Sequence, residues 1–350
     1  VTNPDSYPYK VGYRPTDLLQ ECWATKLFIE RNLAPTEKSC DVLYWSGATN
    51  PNIPALEATW KAGLLNLNGG DPIYDSKHDS IAGLCPISTP GGIGANSART
   101  TYRQFHSSGQ NDYLYTLFLT GDWAGQKKLL DHFKHTNDPY RILPMNLYYH
   151  FYSGIKEKSL KALRYVLDNV ITMEPAMVFP SQYCRISEDF YQTNIWRENH
   201  DDTTWMVENH GDLREIRFKR TTHIDPVASQ GVVGYNHFQG NTYVHLDGRP
   251  LRRIVLRNDS PTSPYVERCT YSLDQGSLSA NSLELQARGL GHFAIIFGGM
   301  GTASWHITIQ DDGGKQILDQ NLTGNLKGKA SARVNLPGPP TIYTVTLQRN

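Results

Sequence analysis

The chain has 350 residues, a length that suggests two folding units or one large barrel with an addition. Lys plus Arg and Asp plus Glu number 34 each, so no broad positive field attracts nucleic acid or an acidic membrane surface. We therefore expect neither of those partners. No apolar stretch approaches the roughly 18 to 20 residues that cross a bilayer, and the sequence predicts no membrane span.

The first part of the chain alternates helices and strands. Thr16 or Asp17 can cap a first helix, because apolar residues follow at helical spacing. DVLYWSG (41–47) reads as a strand, a helix begins near Pro54, and LLNLNGG (64–70) reads as the next strand. This order predicts a β-α-β unit.

Residues 71–112 are rich in Gly, Ser, Pro and Asn, and a loop of this length in a compact fold is typical of a functional lid or rim. Periodic structure resumes after it. The predicted elements are a strand at YTLFLTG (115–121), a helix at 124–135, a strand at MNLYYHFYSG (145–154), a helix at 156–171, a strand at AMVFPSQY (176–183) and a helix at SEDFYQTNIW (187–196).

Five strands alternating with helices favour a parallel barrel or a doubly wound sheet, in which active residues lie at the carboxyl ends of the strands. After about residue 211 the pattern changes to short alternating runs separated by Gly, Asn, Asp and Pro, which is typical of a β-sandwich. The predicted domains are therefore an α/β part at 1–210 and an all-β part at 211–350. The predicted strands of the second part are DLREIRFKR, NTYVHLDG, LRRIVLRND, HFAIIFGG, SWHITIQD, SARVNL and TIYTVTLQ.

Two residues at strand ends could carry acid–base chemistry. His150 follows the bulky run LYY, and a partly desolvated imidazole is a natural general acid or base. Asp71 follows Gly69-Gly70, where its carboxylate could orient an imidazole. The alternatives stay open: His150 as a buried histidine satisfied by a backbone carbonyl, and Asp71 as a turn residue that bonds its own backbone.

Other residue patterns give weaker indications. The 20 Tyr and 7 Trp suit the stacking of sugar rings, although such residues also serve cores and interfaces. The five cysteines are widely spaced, so we expect mostly buried thiols and no disulfide framework. His132 and His135 lie three residues apart on a predicted helix, but no third metal ligand is near them in the sequence. The chain has no GxSxG, GKS, GKT or HExxH motif.

Four segments together resemble the deacetylase region of Pel-type exopolysaccharide-modifying proteins, which are divergent NodB-like members related to carbohydrate esterase family 4. The resemblance covers roughly residues 13–190, and YYHFYSG and NLNGGD are its most specific parts. The segments are LYWSGATNP (43–51), GLLNLNGGDP (63–72), DPYRILPMNLYYHFYSG (138–154) and SLKALRYVL (159–167).

The resemblance implies a distorted (β/α) barrel followed by a β-sandwich that could bind carbohydrate. It implies a secreted protein, extracellular or periplasmic, that removes N-acetyl groups from a polysaccharide of N-acetylated aminosugars. The reaction would use a divalent metal, expected to be zinc, held by one Asp and two His. The roles that follow are His150 as the acid that protonates the leaving amine, Asp71 as its orienting partner, and Trp45, Asn68, Arg141 and Tyr152 as the lining of the sugar cleft.

The sequence departs from the family pattern in several places. It lacks a TFDDG-like motif and an H-x-x-x-H motif, so the expected base and metal ligands are not found in this chain, and the usual Arg-x-Pro is replaced around Trp45. Because VTNPDSYPYK has no initiating Met, we expect the front of the barrel to precede Val1. Two alternatives remain: a non-catalytic carbohydrate-binding protein, or a glycoside hydrolase that pairs Asp71 with Asp122 or Glu188, with carboxyl groups roughly 5 to 10 Å apart.

Overall fold

The chain forms two compact units, one spanning Val1–Gly70 and Cys85–Ser107, the other Asp71–Leu84 and Ser108–Asn350. Mixed helices and strand-rich open sheets make up the described part of the computed structural model. None of its helices is long and apolar enough to cross a membrane. The residues described are 17–45, 49–68, 74, 79–80, 84–88, 102–107, 124–137, 141, 143–149, 154–155, 157–335 and 342–350.

The first unit contains the predicted β-α-β arrangement. Helix α1 (Leu18–Asn32) begins where the sequence places its cap, because Asp17 Oδ1 accepts a hydrogen bond from the Gln20 N–H at 3.0 Å. Strand β1 (Val42–Tyr44) pairs in parallel with β2 (Leu65–Leu67), and α2 (Ile53–Lys61) connects them. The carboxyl ends of both strands therefore meet at one edge.

Within the predicted long loop, β3 (Ile87–Ser88) pairs antiparallel with β4 (Gln104–Phe105). The second unit begins its described helices with α3 (Ala124–His135), α4 (Glu157–Ile171) and α5 (Pro180–Gln192). Helices α3 and α4 share an apolar core. Its buried members are Leu129, Leu130, Phe133 and Val166. The α3 and α4 predictions are confirmed.

The strand predicted at AMVFPSQY is wrong. Phe179 is extended, and α5 begins at Pro180. The fixed φ of proline suits the first helical position, so proline starts this helix where the apolar run suggested a strand. The helix predicted for 187–196 ends at Gln192, and strand β5 follows at Asn194–Arg197.

Two other predicted barrel strands lie partly or wholly outside the described residues. Among residues 145–149 of MNLYYHFYSG, Tyr148 alone makes a β-bridge, while 150–153 lie outside the described residues. The whole of YTLFLTG (115–121) also lies outside them.

The strand-rich region holds every strand predicted for the C-terminal part and several that the sequence did not predict. The missed strands include Gly-, Ser- or Asn-containing runs that resemble loops. The strands after β5 are β6 (Thr204–Glu208), β7 (Glu215–Phe218), β8 (His223–Ile224), β9 (Val232–Phe238), β10 (Asn241–Leu246), β11 (Leu251–Arg257), β12 (Tyr265–Cys269), β13 (Ser272–Leu278), β14 (Ser282–Arg288), β15 (His292–Gly298), β16 (Ser304–Asp311), β17 (Gln316–Thr323), β18 (Ala330–Asn335) and β19 (Ile342–Arg349).

These strands form three main sheets. A six-stranded sheet has the order β18-β15-β12-β9-β10-β7, a five-stranded sheet β13-β14-β19-β16-β17, and a four-stranded sheet β5-β6-β11-β8. One apolar core combines residues of the six- and five-stranded sheets, including Phe293 and Trp305. A second core combines the six- and four-stranded sheets, including Val244 and Ile254. Sheet-on-sheet packing of this kind is consistent with the predicted β-sandwich.

Strand pairing crosses the position where the sequence pattern changes. Strands β5 and β6 precede residue 211, and β6 pairs with β11, which follows it. The division into 1–210 and 211–350 concerns independently folding parts and stays a prediction.

The two halves of the six-stranded sheet meet at a glycine. Strands β9 and β12 are parallel neighbours with a single registered pair, Gly234 with Val266. A Cβ atom built on Gly234 would lie 1.9 Å from the Val266 carbonyl oxygen. Only glycine therefore permits this approach of the two backbones.

We expect Gly234→Ala to lower the free energy of unfolding by about 3 kcal/mol or more, because the methyl group forces β9 and β12 apart. Chemical denaturation measures this. Gly313→Ala is the matched control: its added Cβ would meet only Asp311 Oδ1, at 3.4 Å, so a change within about 0.5 kcal/mol is expected. Equal effects of the two substitutions would contradict the assignment.

The His245 side chain extends over the same glycine to strand β12. It pairs with Gly234 across the strands, and its Nε2–H donates to the Glu267 carbonyl at 2.9 Å, while Nδ1 lies 3.2 Å from Glu215 Oε2. Burial alone would lower the pKa of His245. The hydrogen bond and charge of Glu215, together with the carbonyl and charge of Glu267, outweigh burial and raise the pKa above its ordinary value.

A raised pKa makes His245 stabilising in its protonated form. This contribution is complete below the unfolded-state value of 6.5 and is lost as the pH rises through the folded-state pKa. We expect the difference in unfolding free energy between wild type and His245→Gln to shrink over that rise. Denaturation at a series of pH values measures it, and a difference that does not vary with pH is the contrary result.

Candidate functional site

Trp45 and Asn68 lie together at the carboxyl ends of β1 and β2. The Trp45 backbone N–H donates to the Leu67 carbonyl at 3.0 Å, which extends the parallel pairing by one residue. The Asn68 side-chain amide donates to the Trp45 carbonyl at 2.7 Å. The structure thus brings together two of the residues that the resemblance assigns to a sugar cleft.

A buried asparagine orients the Trp45 indole. The indole Nε1–H of Trp45 donates to Asn66 Oδ1 at 2.9 Å, and the Asn66 amide nitrogen donates to the Arg103 carbonyl at 2.8 Å. Asn66 and Asn68 are each 4% exposed, whereas Trp45 is half-buried. Because buried amides need partners, these bonds hold the ring in one orientation with part of its surface accessible. An indole held in this way can stack on a sugar ring.

The backbone after β2 adopts an uncommon conformation. Asn68 has φ +75°, in the left-handed region that asparagine tolerates better than most residues. Its side chain bonds back to the neighbouring strand, so one residue both turns the chain and ties it to β1.

Sequence reasoning missed two polar residues of this strand-end cluster. Asn66 stands between two leucines in LNL, an alternation that marks a side chain pointing away from its neighbours. Gln104 on β4 is 6% exposed, and its amide donates to the Thr49 carbonyl at 2.7 Å. No sequence signal identifies Gln104, because its partner is a distant backbone atom.

Arg141, predicted to line the same cleft, belongs to the second unit. Its guanidinium donates to the carbonyls of Phe133, at 3.1 Å, and Leu143, at 3.2 Å. Burial lowers its pKa from the ordinary value. A cation at the last turn of α3 is favourable to the helix dipole. In the described structure this arginine therefore supports a helix end.

The remaining predicted site residues receive no placement. Asp71, His150 and Tyr152 lie outside the described residues, as does Asp122 of the alternative carboxylate pair, while Glu188 lies on α5. Their assigned roles stay predictions.

The two histidines on α3 hydrogen-bond to backbone groups. His132 Nδ1 accepts from the Tyr74 backbone N–H at 3.1 Å, and His135 Nδ1 lies 3.0 Å from the Asp131 carbonyl. Across the part of the chain that the structure describes, no group of three or more His, Cys, Asp or Glu side chains could hold a metal ion. The described residues therefore supply no ligand set for zinc.

All five cysteines are free thiols. Cys184 is buried, and the others are half-buried. Burial raises the pKa of Cys184 and of Cys269 to about 12, so both thiols are poor nucleophiles at neutral pH.

Comparison with models of protein families and with curated proteins found no match. The resemblance to Pel-type deacetylases therefore stays a prediction from the motifs of the chain.

Two substitutions at Asn68 separate its backbone role from its side-chain role. Asn68→Gly removes the bond to the Trp45 carbonyl, and Asn68→Ala removes the same bond while placing alanine in a left-handed conformation. We expect the alanine variant to be less stable than the glycine variant by about 1 kcal/mol. Urea denaturation compares them, and equal stabilities would exclude a left-handed backbone at this position.

Proposed function

We propose that the protein is a metal-dependent N-deacetylase of an exopolysaccharide built from N-acetylated aminosugars. In this proposal the α/β part belongs to a distorted, NodB-like (β/α) barrel, and the strand-rich part is a β-sandwich. The protein would work outside the cytoplasm, in the extracellular or periplasmic space where such polymers lie.

The observation that carries the proposal is the placement of Trp45. It follows a parallel strand at the edge where α/β folds bind their ligands, and Asn66 orients its half-buried ring. Asn68 lies beside it at the end of the next strand. An aromatic platform flanked by amides suits a sugar with polar substituents.

Hydrolysis of an acetamido group needs an attacking water, a polarised carbonyl and a proton donor for the departing nitrogen. In the proposal His150 donates that proton and Asp71 orients the imidazole. Trp45 would hold the sugar ring by stacking against its face. A productive orientation is essential because misplacement by about 1 Å can reduce the rate about 100-fold.

The metal belongs to the proposal through the resemblance alone. A bound divalent ion would polarise the carbonyl and lower the pKa of the attacking water. The described residues offer no ligand set for such an ion.

The decisive experiment measures free amines and acetate released from a partially N-acetylated aminosugar polymer. Wild type should release both, and His150→Ala should be slower by about 100-fold to 10,000-fold because it lacks the proton donor. His210→Ala is the matched control, since that imidazole is 77% exposed and lies on another segment, and it should match wild type.

Three outcomes would overturn the assignment. Unchanged turnover in His150→Ala would remove its acid role. Release of reducing ends in place of acetate would indicate a glycoside hydrolase, and binding without either product would indicate a carbohydrate-binding protein.

A further inference from the structure

The five-stranded sheet packs against only part of one face of the six-stranded sheet. On β10, Val244 and Leu246 enter the core shared with the four-stranded sheet, so Tyr243 and His245 lie on the opposite face. On that opposite face, the other half of the sheet packs against the five-stranded sheet, whose edge strand β13 approaches β9. Among the described residues, the core between the six- and five-stranded sheets contains no residue of β10 or β7.

We call this overhanging surface of β9, β10 and β7 the polar ledge. Tyr243 pairs directly with Asn236 on β9 and with Arg217 on β7. Directly opposed residues have Cβ atoms about 4.5 to 5.5 Å apart on the same face. His245, one step along β10, reaches the backbone of Glu267. The polar ledge thus gathers side chains from neighbouring strands.

Among the described residues, two buried polar atoms at the polar ledge, and a third on the neighbouring strand β12, have no hydrogen-bond partner. They are Tyr243 Oη and Asn236 Oδ1 at the polar ledge and Glu267 Oε2 on β12. An unmade hydrogen bond of this kind costs about 1–3 kcal/mol, and most buried polar groups in folded proteins are satisfied. Such atoms on the adjacent strands β10, β9 and β12 leave hydrogen-bonding capacity that a partner from outside the chain could use.

The chemistry of the three atoms limits that partner. Asn236 Oδ1 and Glu267 Oε2 accept hydrogen bonds, whereas the Tyr243 hydroxyl both donates and accepts. The partner must therefore present several donors and at least one acceptor. Hydroxyl groups and an acetamido group together meet this requirement.

An apolar surface lies beside these atoms. The Phe238 ring is 44% exposed and packs edge-on to Tyr243, with ring centroids 6.5 Å apart. Two nearby acidic groups are compensated, because Glu267 pairs with Lys329 and Glu215 with His245. Aromatic surface and hydrogen-bonding atoms beside these ion pairs favour a sugar.

We propose that the polar ledge binds an N-acetylated aminosugar unit of a polysaccharide. Hydroxyl and acetamido N–H groups of the sugar donate to Asn236 and Glu267, an oxygen of the sugar bonds the Tyr243 hydroxyl, and its C–H face contacts Phe238. The identity of the sugar rests on the proposed function, whereas the location rests on the unpartnered atoms. Such a site would hold a polymer by a segment away from the one that reacts.

Calorimetric titration of the full chain with a soluble N-acetylglucosamine oligomer tests the site. Tyr243→Phe should bind about 5-fold to 10-fold more weakly, because it loses one hydrogen bond. Asn236→Ala provides a second, independent variant with the same expectation. Tyr271→Phe is the matched control: its hydroxyl donates to the Gly291 carbonyl at 2.8 Å in the other core, so its affinity should equal that of wild type.

The two tyrosine variants should differ in thermal stability in the opposite sense to their affinities, with Tyr243→Phe the more stable of the two. Removing an unpartnered buried hydroxyl should leave the melting temperature of Tyr243→Phe equal to or above that of wild type, while Tyr271→Phe should be destabilised by about 1 kcal/mol. A ligand-independent structural role for the Tyr243 hydroxyl would instead lower the melting temperature.

Several results would overturn the site: no binding by wild type, equal affinity of wild type and both ledge variants, or a stronger preference for an oligomer of unmodified glucose. Failure of the proposed function is distinguishable, since it appears as absent acetate release while oligomer binding still depends on Tyr243 and Asn236.

Discussion

The contact between Gly234 and Val266 is the constraint on which the strand-rich part of the protein depends. The pair joins two three-stranded halves of one sheet, and both cores include residues of β9 and β12. A side chain at position 234 would collide with the Val266 carbonyl and separate β9 from β12. Both cores would then lose packing contacts along this joint. The bare backbone also lets His245 pass over β9 to Glu267, which adds a hydrogen bond across the joint.

The two candidate carbohydrate surfaces use buried polar groups in opposite ways. At the strand ends, Asn66 and Asn68 are fully engaged with Trp45 and Arg103, so their contribution is to hold an aromatic ring in place. At the polar ledge, Tyr243 and Asn236 carry buried atoms that no residue in the described part of the chain satisfies. The first arrangement costs little in the absence of a ligand. The second costs stability until a partner arrives, which is typical of sites kept for binding.

Local signals in the sequence predicted much of the architecture. Asp17 caps α1 through its own side chain, and Pro54 lies in the first turn of α2, so helix starts could be identified without tertiary information. The strand prediction for AMVFPSQY was wrong because a short apolar run is compatible with either a strand or a helix. Pro180 favours the helix only when the residues after it form a first helical turn. Strand β17, QILDQNLT, was missed because half of its side chains are exposed, one is fully buried, and the strand is held by pairing with β16.

The balanced charge in the sequence argued against nucleic acid and acidic membrane surfaces as partners. The sequence by itself also determined the β-α-β unit near the start and the alternating strands of the second half. It identified Trp45 and Asn68 as residues that end parallel strands. Only the tertiary structure decided that Asn66 orients the Trp45 ring and that Arg141 supports the end of α3. It also decided that Tyr243 and Asn236 are cross-strand neighbours whose Oη and Oδ1 atoms find no hydrogen-bond partner among the described residues. The physical reason is that caps and alternation depend on neighbours within a few residues. Hydrogen-bond satisfaction depends instead on atoms brought together from strands far apart in the chain.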